Sequence, residues 1–149
     1  LFEFFLVYGR EDAPKLETVD CAAFLMQTLE EGLFLLEDQG FSVERDTPDP
    51  KCLLRVDVGL LRRALDNMVS NLRKYADPSA PLKLRWRQRD GRFELELSNR
   101  VHPVPKVQST GLGLKTCERI LALHGGSFEA REENGWFMVR TCLPCQELK

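Results

Sequence analysis

The sequence lacks both a long apolar run and a marked excess of one charge. Its 149 residues carry 21 Lys and Arg against 23 Asp and Glu, for a formal net charge of −2. This balance excludes a generally basic nucleic-acid binder. The most apolar run, residues 1–8, is far shorter than the roughly 20 residues of a transmembrane helix, and it lacks the features of a signal peptide. We expect neither a nucleic acid nor a membrane to contact this chain.

The number of cysteines is odd. Five cysteines with no regular spacing are typical of reduced thiols in the cytosol and not of a disulfide framework. Cys142 and Cys145 form a CxxC pair, but a zinc site would need a second pair, which the sequence does not contain. A redox CxxC would begin a helix, whereas this pair ends the last predicted strand. Neither a zinc site nor a redox centre is therefore expected.

Repeats, low-complexity tracts and flexible linkers are also missing, which favours a single domain with a short N-terminal extension. The extension covers residues 1–14 and is broken by Gly9 and Pro14. It is either a small strand or loop that packs on the core, or the end of a helix that belongs to another module.

Three segments have the apolar spacing of helices. Asp20 can cap a helix over residues 20–39, and Asp57 can cap a second one over 57–76. The third helix is predicted over residues 112–124, where a pair of glycines ends it.

Strand patterns alternate with these helices. Short strands are predicted at residues 41–45 and 52–56, and the dipeptides Asp90-Gly91 and Asn134-Gly135 predict the turns of two hairpins. We expect consecutive strands to pair as antiparallel hairpins. The repeated order of one helix and two strands predicts a two-layer α/β sandwich, in which a mixed, mostly antiparallel sheet packs on three helices.

The first turn fixes the register of its hairpin. It places Trp86 opposite Leu95 on the buried side and Arg87 opposite Glu94 on the solvent side. The other predicted pairs are Arg89–Arg92, Leu84–Leu97 and Arg85–Glu96 here, and Ala130–Val139 and Glu132–Phe137 in the second hairpin. Because acids oppose two members of the basic stripe at 83–89, this stripe indicates a solvated sheet face and not a nucleic-acid surface.

The second helix carries polar residues in its middle. Asn67, Asn71 and Lys74 recur at i, i+4 and i+7 and therefore share one face. Two asparagines one turn apart lower helix stability, so they are either idle in solvent or part of a site. A side-chain carbonyl suits a hard cation such as Mg²⁺, which takes few protein ligands, and a lysine one turn on would neutralise phosphate oxygens.

A glycine pattern, Gly111-Leu112-Gly113-Leu114, follows a loop and opens the third helix. Glycines allow the backbone to approach a phosphate closely, and the N–H groups at a helix start favour an anion. Alone, such a pattern is equally typical of a tight turn. The pattern gains its value from occurring together with the asparagines of the second helix.

These segments together resemble the ATP-binding catalytic domain of bacterial sensor histidine kinases, of the GHKL superfamily that includes gyrase, MutL and heat-shock chaperone ATPases. Residues 65–76 (LDNMVSNLRKYA) are similar to the family's N box, and residues 110–114 (TGLGL) to its second glycine box. Residues 123–126 (LHGG) are similar to the stretch that closes the following helix.

The resemblance covers about residues 16–144 and implies a Bergerat-type fold. It divides the chain into the end of an upstream dimerisation helix or linker at residues 1–14 and the catalytic domain at residues 15–149.

The resemblance also implies roles for single residues. Asn71 would ligate a Mg²⁺ ion that bridges the ATP phosphates. Lys74 and Arg73 would contact phosphate, and Tyr75 would line the nucleotide pocket. Asn67 stands where hydrolysing relatives keep a glutamate that activates water, and an amide cannot accept that proton, which favours a kinase over an ATPase.

Asn67, Asn71 and Lys74 are the predicted catalytic residues. The predicted nucleotide-binding set is Asn67, Asn71, Arg73, Lys74, Tyr75, Asn99, Gly111, Leu112, Gly113 and Leu114.

The sequence departs from the family at the first glycine box, Asp-x-Gly-x-Gly. After the predicted strand at 93–98 the chain reads Asn99-Arg-Val-His-Pro103, with neither Asp nor Gly. Asn99 is the expected substitute for the adenine-reading aspartate, because its carbonyl oxygen can accept from the N6 amino group. A neutral acceptor should bind more weakly than a charged one. The loop up to Gly111 is also short for the lid that covers ATP in the family.

Histidine is scarce as well, with only His102 and His124. Neither lies on a predicted helix beside an acidic residue, as the family's phosphoacceptor does. The resemblance therefore implies transfer of the γ-phosphoryl of Mg·ATP to a histidine on an adjoining dimerisation domain outside this chain.

The parent protein would then pass the phosphoryl group to a response regulator. It would be a homodimer anchored in the inner membrane, with this domain in the cytoplasm. The alternatives are a nucleotide-sensing pseudokinase or interaction module, and a serine kinase that restrains a sigma factor.

Overall fold

The computed structural model describes residues 13–102 and 112–148, where three helices and a five-stranded sheet share one apolar core. This arrangement confirms the predicted two-layer α/β sandwich. Most of the predicted extension at 1–14, and Gly111 with the loop before it, lie outside the described residues. The strands are β1 (Glu17–Asp20), β2 (Val43–Asp46), β3 (Cys52–Val56), β4 (Leu82–Arg89), β5 (Arg92–Arg100), β6 (Ser127–Glu133), β7 (Trp136–Pro144) and β8 (Gln146–Glu147). The helices are α1 (Cys21–Leu25, Met26–Glu30 and Glu31–Asp38 in succession), α2 (Val58–Tyr75) and α3 (Leu112–Leu123).

The helices begin at the residues that the sequence predicts. Asp20 and Asp57 each accept a hydrogen bond from the backbone N–H three residues on, at 3.0 and 3.2 Å. The first predicted helix contains a π-helical turn, Met26–Glu30, in which the Thr28 hydroxyl donates to the Phe24 carbonyl at 2.7 Å. Within the described ranges, no helix has the length and apolar character needed to cross a membrane.

The main sheet has the order β2-β4-β5-β7-β6, with β2 parallel to β4 and all other neighbours antiparallel. Both predicted hairpin registers are confirmed, including Trp86 opposite Leu95 and Ala130 opposite Val139. The first turn is formed by Asp90 and Gly91, whose φ angles are 53° and 72°. Two consecutive positive φ values match the twist of the flanking strands, which explains why this dipeptide fixes the register.

The first predicted strand pair is not a hairpin, and this expectation was wrong. β2 begins two residues later than predicted and pairs with β4, whereas β3 joins a separate antiparallel sheet of order β1-β3-β8. The linker between β2 and β3 holds Pro48 and Pro50 and no two-residue turn signal. Strands β1 and β8 escape local prediction because they are only four and two residues long and depend on a distant partner.

On the solvent face of the sheet, the predicted register holds but the ion pairs differ. The Arg87 guanidinium contacts Asp46 of β2 at 2.7 Å instead of the opposing Glu94. Glu96 pairs with Arg140 of β7 at 2.8 Å. Long arginine side chains reach acids on neighbouring strands as easily as those directly opposite.

Candidate functional site

Helices α2 and α3 lie antiparallel, and their contacts position the polar face of α2. The Cys117 thiol of α3 donates to the Ala64 carbonyl of α2 at 3.2 Å. Nearer the start of α3, the Asn67 Nδ2 group donates to the Gly113 carbonyl at 3.5 Å. The polar face of α2 therefore meets the first turn of α3, as the combination of the two predicted motifs requires.

The packing of α3 on α2 does not require a glycine at position 113. A Cβ added there would lie 4.0 Å from the Cβ and Cγ atoms of Asn67, which is ordinary van der Waals contact. Because the neighbouring helix leaves room for a side chain, helix packing does not explain the glycine.

The remaining polar residues of α2 continue beyond Asn67. Asn71 is half-buried one turn further on, Lys74 and Arg73 are exposed, and Tyr75 is half-buried at the end of the helix. No residue in the described ranges hydrogen-bonds to the side chains of Asn71 or Lys74. The two side chains that would take a metal and a phosphate are therefore not engaged by the described part of the fold.

Two hydrogen bonds join the end of α2 to the end of β5. The His102 N–H donates to the Tyr75 carbonyl at 2.8 Å, and the Asp77 N–H donates to the Arg100 carbonyl at 2.8 Å. This junction brings Asn99, the penultimate residue of β5, to the same end of the molecule as the polar face of α2.

Asn99 is almost completely buried, with 1% of its surface exposed. Its Nδ2 group donates to the Arg100 carbonyl at 3.1 Å. Since a carbonyl can only accept, this contact determines which end of the amide is the nitrogen and leaves Oδ1 as the acceptor. An acceptor suits the amino group of adenine.

The charge at this end is mainly positive. Ser79 donates to the Asp77 carboxylate from its hydroxyl at 2.7 Å and from its backbone N–H at 2.9 Å. These two bonds hold the pKa of Asp77 below its usual range, and the nearby charges of His102 and Arg100 act in the same direction. Lys74, on the last turn of α2, is exposed.

The structure places the described predicted residues on α2, in the first turn of α3 and near the end of β5. Asn67 and Gly113 are in contact, and Leu114 is half-buried in the first turn of α3. Leu112 opens α3 by its backbone, but its side chain and the whole of Gly111 lie outside the described residues. Asn99 reaches this end of the molecule without a hydrogen bond to the asparagines of α2.

Comparison with known proteins decides the family. The family model of the histidine kinase-, DNA gyrase B-, and HSP90-like ATPases matches residues 56–147, which is more than half of the chain. The chain belongs to this ATPase family. As a histidine kinase-type ATPase domain, it has the ATP-binding role that the resemblance predicted.

The relatives of this ATPase domain are sensor kinases. It is 27% identical to the sensor histidine kinase YrkQ of Bacillus subtilis over 140 residues, which cover 93% of this chain and 32% of the relative. It is 26% identical to the sensor-like histidine kinase SenX3 of Mycolicibacterium smegmatis over 155 residues, with 91% and 40% covered. The chain thus spans about a third of the length of one relative and two fifths of the other.

Solved structures confirm the fold. The structure of full-length ShkA in complex with AMPPNP superimposes with a TM-score of 0.77 at 22% identity, covering 97% of this chain and 34% of that one. The histidine kinase AdeS of Acinetobacter baumannii gives a TM-score of 0.73 at 14% identity, with 95% and 73% covered.

Proposed function

We propose that this chain is the catalytic domain of a sensor histidine kinase, which transfers the γ-phosphoryl group of Mg·ATP to a histidine on an adjoining dimerisation domain. The observation that carries the proposal is the contact of Asn67 with Gly113, which sets an asparagine-bearing helix against a glycine-containing helix start. Phosphoryl transfer depends mainly on positioning and charge neutralisation. This junction supports positioning, and the exposed Lys74 on the same helix supports charge neutralisation.

The residues of α2 fit a magnesium ion. Asn71 has an amide oxygen on a half-buried helix face, and Mg²⁺ prefers hard oxygen ligands while it retains several waters. When bound, the ion would neutralise charge on the phosphate oxygens. Asn71 would hold it, Lys74 and Arg73 would contact the phosphates, and Tyr75 would line the pocket.

Asn67 favours transfer to a protein side chain over hydrolysis. Its amide nitrogen donates to the Gly113 carbonyl, and an amide cannot take a proton from water as a carboxylate does. In our proposal Asn67 therefore fixes the first turn of α3 and activates no water.

In our proposal His124 is not the accepting histidine. Both ring nitrogens of His124 contact backbone groups, at 3.0 Å to the Asp57 nitrogen and 2.7 Å to the Ile120 oxygen. An imidazole held in this way cannot attack a phosphate. We place the acceptor on a dimerisation domain joined through residues 1–14, in a homodimeric parent anchored in the inner membrane that passes the phosphoryl group to a response regulator.

Calorimetric titration tests the proposal. The chain should bind a non-hydrolysable ATP analogue, and Mg²⁺ should strengthen that binding. Asn71→Ala should abolish the effect of Mg²⁺ without changing the unfolding midpoint, while Arg62→Ala, an exposed control on the same helix, should bind like the wild type.

Unchanged Mg²⁺-dependent binding by Asn71→Ala would refute the site assignment. Absence of binding by the wild type at millimolar nucleotide would instead favour an interaction module that has lost its first glycine box.

A further inference from the structure

The ends of α2 and α3 opposite the nucleotide site are joined by Asp57 and His124. The Asp57 N–H donates to Nε2 of His124 at 3.0 Å. The carboxylate of Asp57 is engaged as well, by the N–H of Leu60 in α2 at 3.2 Å and by the N–H of Lys15 in the entering chain at 3.0 Å. Asp57 is therefore fixed by three segments at once.

These contacts determine the tautomer of His124. A backbone N–H can only donate, so Nε2 must carry a lone pair. In a neutral imidazole the proton is then on Nδ1, which lies 2.7 Å from the Ile120 carbonyl, a group that can only accept. His124 is thus a neutral Nδ1–H imidazole whose two nitrogens both have complementary backbone partners.

The chain that follows His124 is fixed against the sheet. Gly126 packs so closely on β7 that a Cβ would overlap the Cys142 carbonyl oxygen. The Gly126 N–H also donates back to the Leu121 carbonyl of α3 at 2.9 Å. Because this segment cannot move toward the sheet, the imidazole is presented to Asp57 from a rigid support.

We propose that Asp57 and His124 are positioning residues for the nucleotide site, and we name their contact the Asp57–His124 clasp. The clasp sets how α3 lies along α2, and through it the position of the first turn of α3. The proposal rests on the nucleotide-binding function proposed above. The clasp itself touches no nucleotide, because Asn67 lies ten residues along α2, about 15 Å away at 1.5 Å per residue.

The geometry of the helix pair explains how the clasp acts at this distance. The two helices are hydrogen-bonded to each other at Cys117–Ala64, and this contact lies between the clasp and the Asn67–Gly113 contact. If α3 pivots there as a rigid rod, a shift at His124 moves Gly113 in the opposite direction by roughly half as much. The Asn67–Gly113 bond is already long at 3.5 Å, so a small tilt breaks it.

Three variants of the full 149-residue chain test the clasp by titration with the Mg²⁺ complex of a non-hydrolysable ATP analogue. His124→Ala removes both ring nitrogens and should weaken binding about tenfold, since small misplacements in a phosphate site are costly. His124→Gln retains an acceptor for the Asp57 N–H and should bind within about threefold of the wild type. Leu123→Ala, an exposed neighbour on the same helix end, should bind like the wild type.

Two results would overturn the proposal: a folded His124→Ala chain that binds within twofold of wild type, or His124→Gln that binds as weakly as His124→Ala. If His124→Ala does not fold, the proposal is tested by the nucleotide affinity of the Gln variant and by the imidazole ¹⁵N–¹H NMR spectrum of the wild type. That spectrum should show the neutral Nδ1–H tautomer, and an Nε2–H tautomer would contradict the clasp.

Failure of the proposed function gives a different result. A wild-type chain that binds no nucleotide would refute that function and with it the positioning role. The NMR spectrum would still report whether the clasp forms, so the two failures remain distinguishable.

Discussion

The two ends of the α2–α3 helix pair differ in how completely their polar groups are engaged. At the clasp end, the carboxylate of Asp57 and both ring nitrogens of His124 have backbone partners at 3.2 Å or less. At the nucleotide end, the contact between the helices is one bond of 3.5 Å from Asn67, and no described residue hydrogen-bonds to the Asn71 side chain.

This difference separates two tasks along one pair of helices. Saturated hydrogen bonds fix geometry but leave no group free for a ligand. Unengaged polar groups can bind a ligand but contribute little to folding. We therefore propose that the clasp end supplies rigidity and that the nucleotide end binds the ligand. We expect substitutions at the first end to change stability and to affect binding only through the position of α3, whereas those at the second end should change binding directly.

The largest effect should come from Gly126→Ala. The new methyl group would overlap the Cys142 carbonyl oxygen, which belongs to the backbone of β7 and cannot move aside. Overpacking of this kind costs about 3 kcal/mol of unfolding free energy, measurable by urea denaturation.

Gly59→Ala is the matched control at the same end. A Cβ there would have only the Asp57 carboxylate oxygen within 4 Å, at 3.7 Å. Alanine is the better helix former, so this variant should be as stable as the wild type or more stable by up to about 1 kcal/mol. Equal unfolding midpoints for the Gly126 variant and the wild type would show that the clasp end is not rigid.

The same contrast separates what could be predicted from the sequence and what could not. Dipeptides such as Asp90-Gly91 encode a turn locally, and so both hairpin registers were predicted pair by pair. The partner of β3 could not be predicted, because β1 lies more than 30 residues away and carries no distinctive pattern. Local spacing also predicts that Asn67 and Asn71 share one face of α2, and in the structure Asn67 of that face contacts Gly113.

The role of His124 was not visible in the sequence. It follows a helix and precedes two glycines, so it resembles any helix-end histidine, and only the fold places it on the Asp57 N–H. A contact between residues 67 positions apart has no local signal. The same holds for the bond from the Cys117 thiol to the Ala64 carbonyl, which joins residues 53 positions apart.

An intermediate effect is expected for Asn99→Ala at the nucleotide end. Its Oδ1 atom can accept from the amino group of adenine but not from the O6 atom of guanine, which is itself an acceptor. Wild type should therefore prefer ATP to GTP by about tenfold, the value of one hydrogen bond, and Asn99→Ala should lose most of that preference.

Competition titrations with the two nucleotides measure this ratio. Ser98→Ala, the preceding residue on the opposite face of β5, is the control and should retain the preference of the wild type. Equal affinity of the wild type for ATP and GTP would remove Asn99 from the set of base-reading residues.

The smallest effect should come from Asp77, which is half-buried just beyond the end of α2. Its pKa in the folded chain is held below the unfolded value by the Ser79 hydroxyl and N–H. The carboxylate therefore stabilises the fold above the unfolded pKa, near 4, and this contribution is lost as the pH falls through the folded pKa. NMR titration should show the Asp77 pKa rising in part in Ser79→Ala, which keeps the N–H donor but lacks the hydroxyl. An unchanged pKa in that variant would mean that the hydroxyl does not hold this carboxylate. Because solvent still screens a half-buried surface carboxylate, the urea midpoint should move far less with pH here than it moves with Gly126→Ala, as expected if this end serves binding more than stability.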